Sequence, residues 1–169
     1  MRLEAAHEAE RSPGLLLWRL TMGWQARQRA ALRPHGLTHV QFVLLAVLVH
    51  AGDAPLAQAT LADRAGLDPM MTSQVVRALE AKALVTRAIA DGDARVRLVS
   101  ATAEGAELVN KAVVDVEQVD AQVFAPLGEG VSAFARDLAR LLEHAEANSP
   151  NAAGTTSWTQ ERPGEAPAR

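Results

Sequence analysis

The sequence predicts a mainly α-helical fold carrying one small β-wing, and three observations predict it. Apolar residues recur at helical spacing through most of residues 14–147 of an Ala- and Leu-rich chain. Two apolar-rich runs, residues 84–89 and 96–99, flank Asp91-Gly92, a strong hairpin-turn signal. Directly before them, a short helical segment, a glycine turn and a second helix with a polar surface form a helix-turn-helix pattern.

The limits of the chain agree with that fold. At 169 residues, 49% of them hydrophobic, it can bury a core and suits one domain. Cysteine is absent, which excludes disulfides, thiolate metal sites and thiol redox switching. The N-terminus is polar rather than a secretory signal, and the longest apolar run, residues 42–49, is too short for a bilayer. These features predict a soluble, cytoplasmic protein with no membrane partner. The net charge of −3 is divided unevenly: residues 70–100 carry five basic and three acidic groups, whereas residues 101–147 carry three and nine. A local field, not the total, governs association with phosphate, so the acidic sum does not exclude a nucleic-acid partner.

The expected elements follow in order. Ser12-Pro13 starts a helix over residues 14–32, with Leu16, Leu20 and Trp24 on one stripe and Arg27, Arg29 and Arg33 towards its C-terminal end. Pro34-His35-Gly36 ends it. Thr38 caps a second helix over residues 40–50, whose continuous apolar run marks it as the most buried element. A third, over residues 58–65, points Leu61 inward and ends at Gly66. Asp68-Pro69 opens the fourth, with an acceptor at the N-cap and proline at the first helical position. Val75, Val76, Leu79 and Ala83 are its expected buried face. After the hairpin, Thr102 caps a fifth helix to about residue 125, with Val109, Val113, Val116 and Val123 on one side. A sixth covers residues 131–147, where Val131, Phe134, Leu138, Leu141 and Ala145 make a heptad-like seam. Residues 1–13 and 148–169 read as a flexible N-terminus and tail.

This order of elements resembles the MarR (multiple antibiotic resistance regulator) family. The family's wing carries Asp-x-Arg, then a strand and a Leu-Thr-x-x-Gly helix start. Here those positions are Asp93-Ala94-Arg95, residues 96–100, and Ala101-Thr102-Ala103-Glu104-Gly105. Residues 79–87, beginning Leu79-Glu80 and ending at Arg87, resemble its Leu-Glu-x-x-Gly-Leu-[Ile/Val]-x-Arg, and Gly36-Leu37-Thr38 also fits. Two positions depart: Ala83 replaces the glycine that ends the recognition helix, and Ala94 stands where many members are basic. The resemblance implies one MarR-type domain over residues 14–147. Within it, residues 38–100 form the winged helix-turn-helix, and residues 14–36 and 101–147 supply dimerisation helices. It further implies a homodimeric transcription regulator, more often a repressor, on a pseudo-palindromic operator of double-stranded DNA.

Hydroxyl, amide and guanidinium groups beside an arginine-bearing hairpin suit a DNA groove and its backbone. Met71, Thr72, Ser73, Gln74 and Arg77 are the expected contacts on the reading helix, with Met70 beside them. Arg87, Arg95 and Arg97 are the expected wing contacts, with Asp93 holding Arg95 by an ion pair. Many relatives respond to small aromatic or anionic effectors, and the matching region here holds Trp18, Arg19, Met22, His39 and Phe42. His35 and His39 share no helical face, so no metal site is expected, nor any cofactor. An enzyme is disfavoured, because no nucleophile–base set or phosphate loop is present. The stronger rival is a winged-helix protein–protein adaptor that has lost DNA binding.

Overall fold

A computed structural model describes residues 12–148; of the expected flexible segments, 1–13 and 148–169, all but residues 12, 13 and 148 lie outside the described residues. The chain divides into two compact units, Met1–Gly128 and Glu129–Arg169. In the first, α1 (Pro13–Leu32), a 3-10 turn (Arg33–His35) and α2 (His39–His50) precede β1 (Leu56–Ala57) and α3 (Gln58–Ala65). Then come α4 (Pro69–Ala81), β2 (Val85–Ala90), β3 (Asp93–Ala101) and α5 (Ala103–Phe124). The second unit contains α6 (Val131–Ala147).

The helix starts are made by the residues that signal them. Ser12 Oγ accepts the Leu15 N–H at 3.2 Å, and Asp68 Oδ1 accepts the Met71 N–H at 2.8 Å, with a proline next in both chains of residues. Thr38 and Gln41 bond reciprocally as a capping box at α2. That helix buries Gln41, Phe42, Leu44, Leu45 and Leu48. Against it pack Leu61 of α3, Val76 and Leu79 of α4, Val99 of β3 and Val109 of α5. Among the described residues no single helix is long and apolar enough to cross a membrane.

The sheet is antiparallel in the order β1–β3–β2. Val85 faces Ala101 and Ile89 faces Arg97, after which the register shifts at Ala90. Gly92 turns the hairpin at φ 86°, a conformation glycine adopts without steric cost. β3 exceeds the expected residues 96–99 because it is paired on both sides: Leu56 and Ala57 of β1 lie against Val99 and Leu98. A two-residue strand carries no periodicity, so β1 leaves no mark in the sequence.

Ala83 departs from its expected place on the buried face of α4. The helix stops at Ala81, and Ala83 is exposed with φ 58°, the left-handed conformation that disfavours a side chain. Its N–H donates to Glu80 O at 2.9 Å and the Leu84 N–H to Leu79 O at 3.0 Å, a Schellman-type end with alanine where glycine is usual. Neighbours hold the turn. Thr102 Oγ1 donates to Ala83 O at 2.8 Å and the Thr102 N–H to Leu84 O at 3.0 Å. Gly105, buried in the first turn of α5, lies so close that a Cβ there would stand 2.1 Å from Leu84 O.

In α6, considered by itself, no residue is buried. Phe134 and Leu138 of the seam are half-buried, whereas Val131, Leu141 and the neighbouring Leu142 are exposed.

Two substitutions test the strained turn. Gly105→Ala should lower unfolding free energy by about 2 kcal/mol or more, because the clash is with backbone. Ala83→Gly should raise it by roughly 1 kcal/mol by relieving the left-handed alanine. Both are read from urea denaturation midpoints; an unchanged midpoint for Gly105→Ala would contradict the close approach.

Candidate nucleic-acid interface

α4 turns two different faces inward and outward. Thr72, Val76 and Leu79, at helical spacing, are buried, and Thr72 is 0% exposed. Its hydroxyl donates to Asp68 O at 3.0 Å, which satisfies the group locally. Thr72 is therefore corrected from contact residue to core residue. Its polarity suggested the surface, but its position four residues before Val76 places it on the apolar stripe. Met70, Met71, Gln74 and Arg77 form the outward face, with Ser73 half-buried at its edge. Met70, in the first turn, is 73% exposed. This end of the helix also carries the positive pole of the helix dipole, which favours approach to phosphate.

The wing arginines are not equivalent. Arg95 is exposed, and Asp93 Oδ1 accepts its backbone N–H at 2.9 Å. The expected Asp93 ion pair is thus replaced by a turn-forming bond that leaves the guanidinium at the surface. Arg97 Nη1 donates to Ala94 O at 2.9 Å, so this side chain lies along its own strand. Arg87 Nε donates to Glu80 Oε2 at 2.7 Å, and Nη2 joins the same carboxylate. Arg87 therefore ties the wing to α4, with its charge matched within the chain. Among the described residues Arg77 and Arg95 have no ion pair.

The five expected effector residues differ in burial. Trp18, 62% exposed, stands with Arg19 and Met22 on the open side of α1, whereas Phe42 belongs to the core. Only His39 joins a polar cluster, and its partners were missed from sequence. Trp24 Nε1–H and Gln28 Nε2–H both donate to Asp120 Oδ1, at 2.6 and 2.7 Å. The Trp24 and His39 rings meet edge to face at 5.0 Å. His35 Nε2 lies 2.7 Å from Asp115 Oδ2, so the two histidines go to different partners. Gln28 is fully buried, and among the described residues its Oε1 has no hydrogen-bond partner. Trp24 and Gln28 share a face of α1, but nothing local to the sequence pairs them with a carboxylate on α5.

Burial pushes the His39 pKa below 6.5; nearby Arg29 adds to the effect and Asp120 opposes it. Well above 6.5 neither folded nor unfolded chain holds this proton. As pH falls below that value the unfolded chain takes it up first, so stability is lost. The stability of the parent chain relative to His39→Gln should therefore fall with decreasing pH below 6.5. Urea titrations at several pH values measure it, and a difference independent of pH would refute the assignment.

Comparison with known proteins places this geometry. Residues 35–96 match the model of the MarR family. The chain is 39% identical over 135 residues to YdcH of Bacillus subtilis (strain 168), an HTH-type transcriptional regulator, covering 79% of this chain and 91% of that protein. The fold superposes on the M. tuberculosis regulator MosR in complex with DNA with a TM-score of 0.70 and 29% identity, covering 81% and 98% of the two chains. It matches BpsR of Bordetella bronchiseptica, whose DNA binding is regulated by 6-hydroxynicotinic acid, at TM-score 0.72 and 25% identity, covering 79% and 94%. On the family match, the 39% identical relative and these structural likenesses, the chain belongs to the MarR family of transcriptional regulators.

Proposed function

We propose that the chain acts as a homodimeric repressor on a pseudo-palindromic operator, with binding relieved by a small aromatic or anionic ligand. The observation that carries DNA reading is the single outward face of Met70, Met71, Gln74 and Arg77, flanked by the unpaired Arg95 of the wing. Gln74 suits adenine and Arg77 suits guanine in the major groove, while the methionines offer apolar contact to a thymine methyl. Arg95 goes to backbone or minor groove. Arg87 and Arg97 contribute through the wing's shape.

Dimerisation is supported by apolar side chains that each unit, taken by itself, leaves open. Leu16, Leu17, Trp18 and Leu20 of α1 are exposed, as are Leu141 and Leu142 of α6. Burying such surface against a second copy is strongly favourable. Residues 14–36 and 101–147 supply these helices, and two recognition helices then meet half-sites about 34 Å apart. Repression needs only occlusion of a promoter, whereas activation requires a further polymerase contact. To the expected set of Trp18, Arg19, Met22, His39 and Phe42 the effector site adds Trp24, in ring contact with His39, and Gln28, whose Oε1 has no partner among the described residues.

A mobility shift with the DNA upstream of the protein's own gene tests the reading. A salt-sensitive shift at nanomolar protein is expected, weakened by phenolic or carboxylate ligands. No shift at any salt would favour the adaptor reading. Arg95→Ala should weaken binding and reduce the slope of log affinity against log salt by about one. Gln74→Ala should relax discrimination at one adenine by about 1–3 kcal/mol. Sedimentation should find a dimer, and a monomer at high concentration would sink the two-helix geometry.

A further inference from the structure

Lys82 follows the last residue of α4 and forms its C-cap. A basic residue in this position reads most simply as one more phosphate contact. The structure gives its ammonium other partners. Lys82 Nζ donates to Gly36 O at 2.7 Å and to Gln41 Oε1 at 3.1 Å. Gly36 is the left-handed residue, φ 65°, that closes the elbow between α1 and α2. Gln41 belongs to the capping box at the start of α2. The same elbow is fastened to α5 through His35 and Asp115 at 2.7 Å.

We propose that Lys82 is a positioning residue for operator recognition, bracketing the end of the recognition helix to the α1–α2 elbow. The proposal rests on the reading of α4 as the helix that enters the groove. Apolar contacts such as those of Val76 and Leu79 hold α4 against the core, but they are non-directional and tolerate rotation. Charge-assisted bonds to two fixed acceptors are directional. Their placement matters because Met70, Met71 and Gln74 lie towards the other end of the helix. At about 1.5 Å rise per residue Gln74 is about 12 Å from the C-cap, so a swing of about ten degrees there moves it by about 2 Å. Hydrogen bonds to base edges do not survive such a displacement. Contacts to phosphate, made by long flexible side chains, adapt to it.

Lys82 is an exposed residue, and water competes for its bonds, so its contribution to global stability is small. Its contribution to specificity is not, because it decides where Gln74 arrives. The elbow thereby joins three elements. α5 holds it through Asp115, α2 begins from it, and Lys82 passes its position to α4.

The test compares the full chain with Lys82→Met on two duplexes, the upstream operator fragment and a scrambled one, over a range of salt. Operator affinity should fall about tenfold, the scale of one charge-assisted hydrogen bond. Scrambled-duplex affinity and the salt slope on the operator should not change. Equal weakening on both duplexes, with a slope shallower by about one, would make Lys82 a phosphate contact and overturn the proposal. Unchanged operator affinity would overturn it equally. Should Lys82→Met fail to fold, Lys82→Gln, which keeps one donor for the two acceptors, is measured in the same way. A parent chain that binds neither duplex sinks the regulator reading itself and the bracket with it. A parent chain that binds, beside a Lys82→Met chain with normal specificity, sinks only the bracket.

Discussion

The first turn of α5 packs directly against the backbone at Leu84. Gly105 has no side chain because Leu84 O occupies the place of its Cβ, 2.1 Å away. Around this contact Thr102 serves three bonds, accepting from the Gly105 N–H and donating from its hydroxyl and backbone to the carbonyls of Ala83 and Leu84. Three elements therefore meet in a few residues: the end of the recognition helix, the start of the wing and the first turn of α5. A left-handed alanine persists there because its surroundings over-determine it. The angle between reading helix and wing follows from that junction.

Electrostatics divide along the same lines. Basic groups are in excess over residues 70–100 and acidic groups over residues 101–147, yet not every basic group is available to a ligand. Arg87 is matched by Glu80 and Arg97 is laid along the wing. Lys82 is turned to the elbow. The cations left at the surface of this segment without such a bond are Arg77 and Arg95, one on the helix and one on the wing. A modest net charge thus becomes two placed charges, with the others spent on architecture. Position rather than number decides how such a surface meets a duplex.

Carboxylates of α5 perform the corresponding work inside. Asp120 gathers Trp24 and Gln28, and Asp115 gathers His35. These bonds draw α1, the elbow and α5 together. The buried amide oxygen of Gln28 has no donor among the described residues.

Local chemistry by itself determined a great deal of this protein. Ser12, Thr38, Asp68 and Thr102 cap helices wherever the chain is in reach, since each bond spans three residues. Asp91-Gly92 turns the hairpin for equally local reasons, the continuous apolar run marks α2 as buried, and the apolar periodicities select the buried faces of α4 and α5. The outward positions of Met71, Gln74 and Arg77 follow from the same periodicity. What only the tertiary structure decided is which polar groups are free. Thr72 looked like a contact and is core; Asp93 looked like the partner of a guanidinium and shapes a turn. Arg87, Lys82, Trp24 and Gln28 all found partners on other elements, between 7 and 96 residues away. Such pairings depend on distances set by packing, and no spacing along one element encodes them.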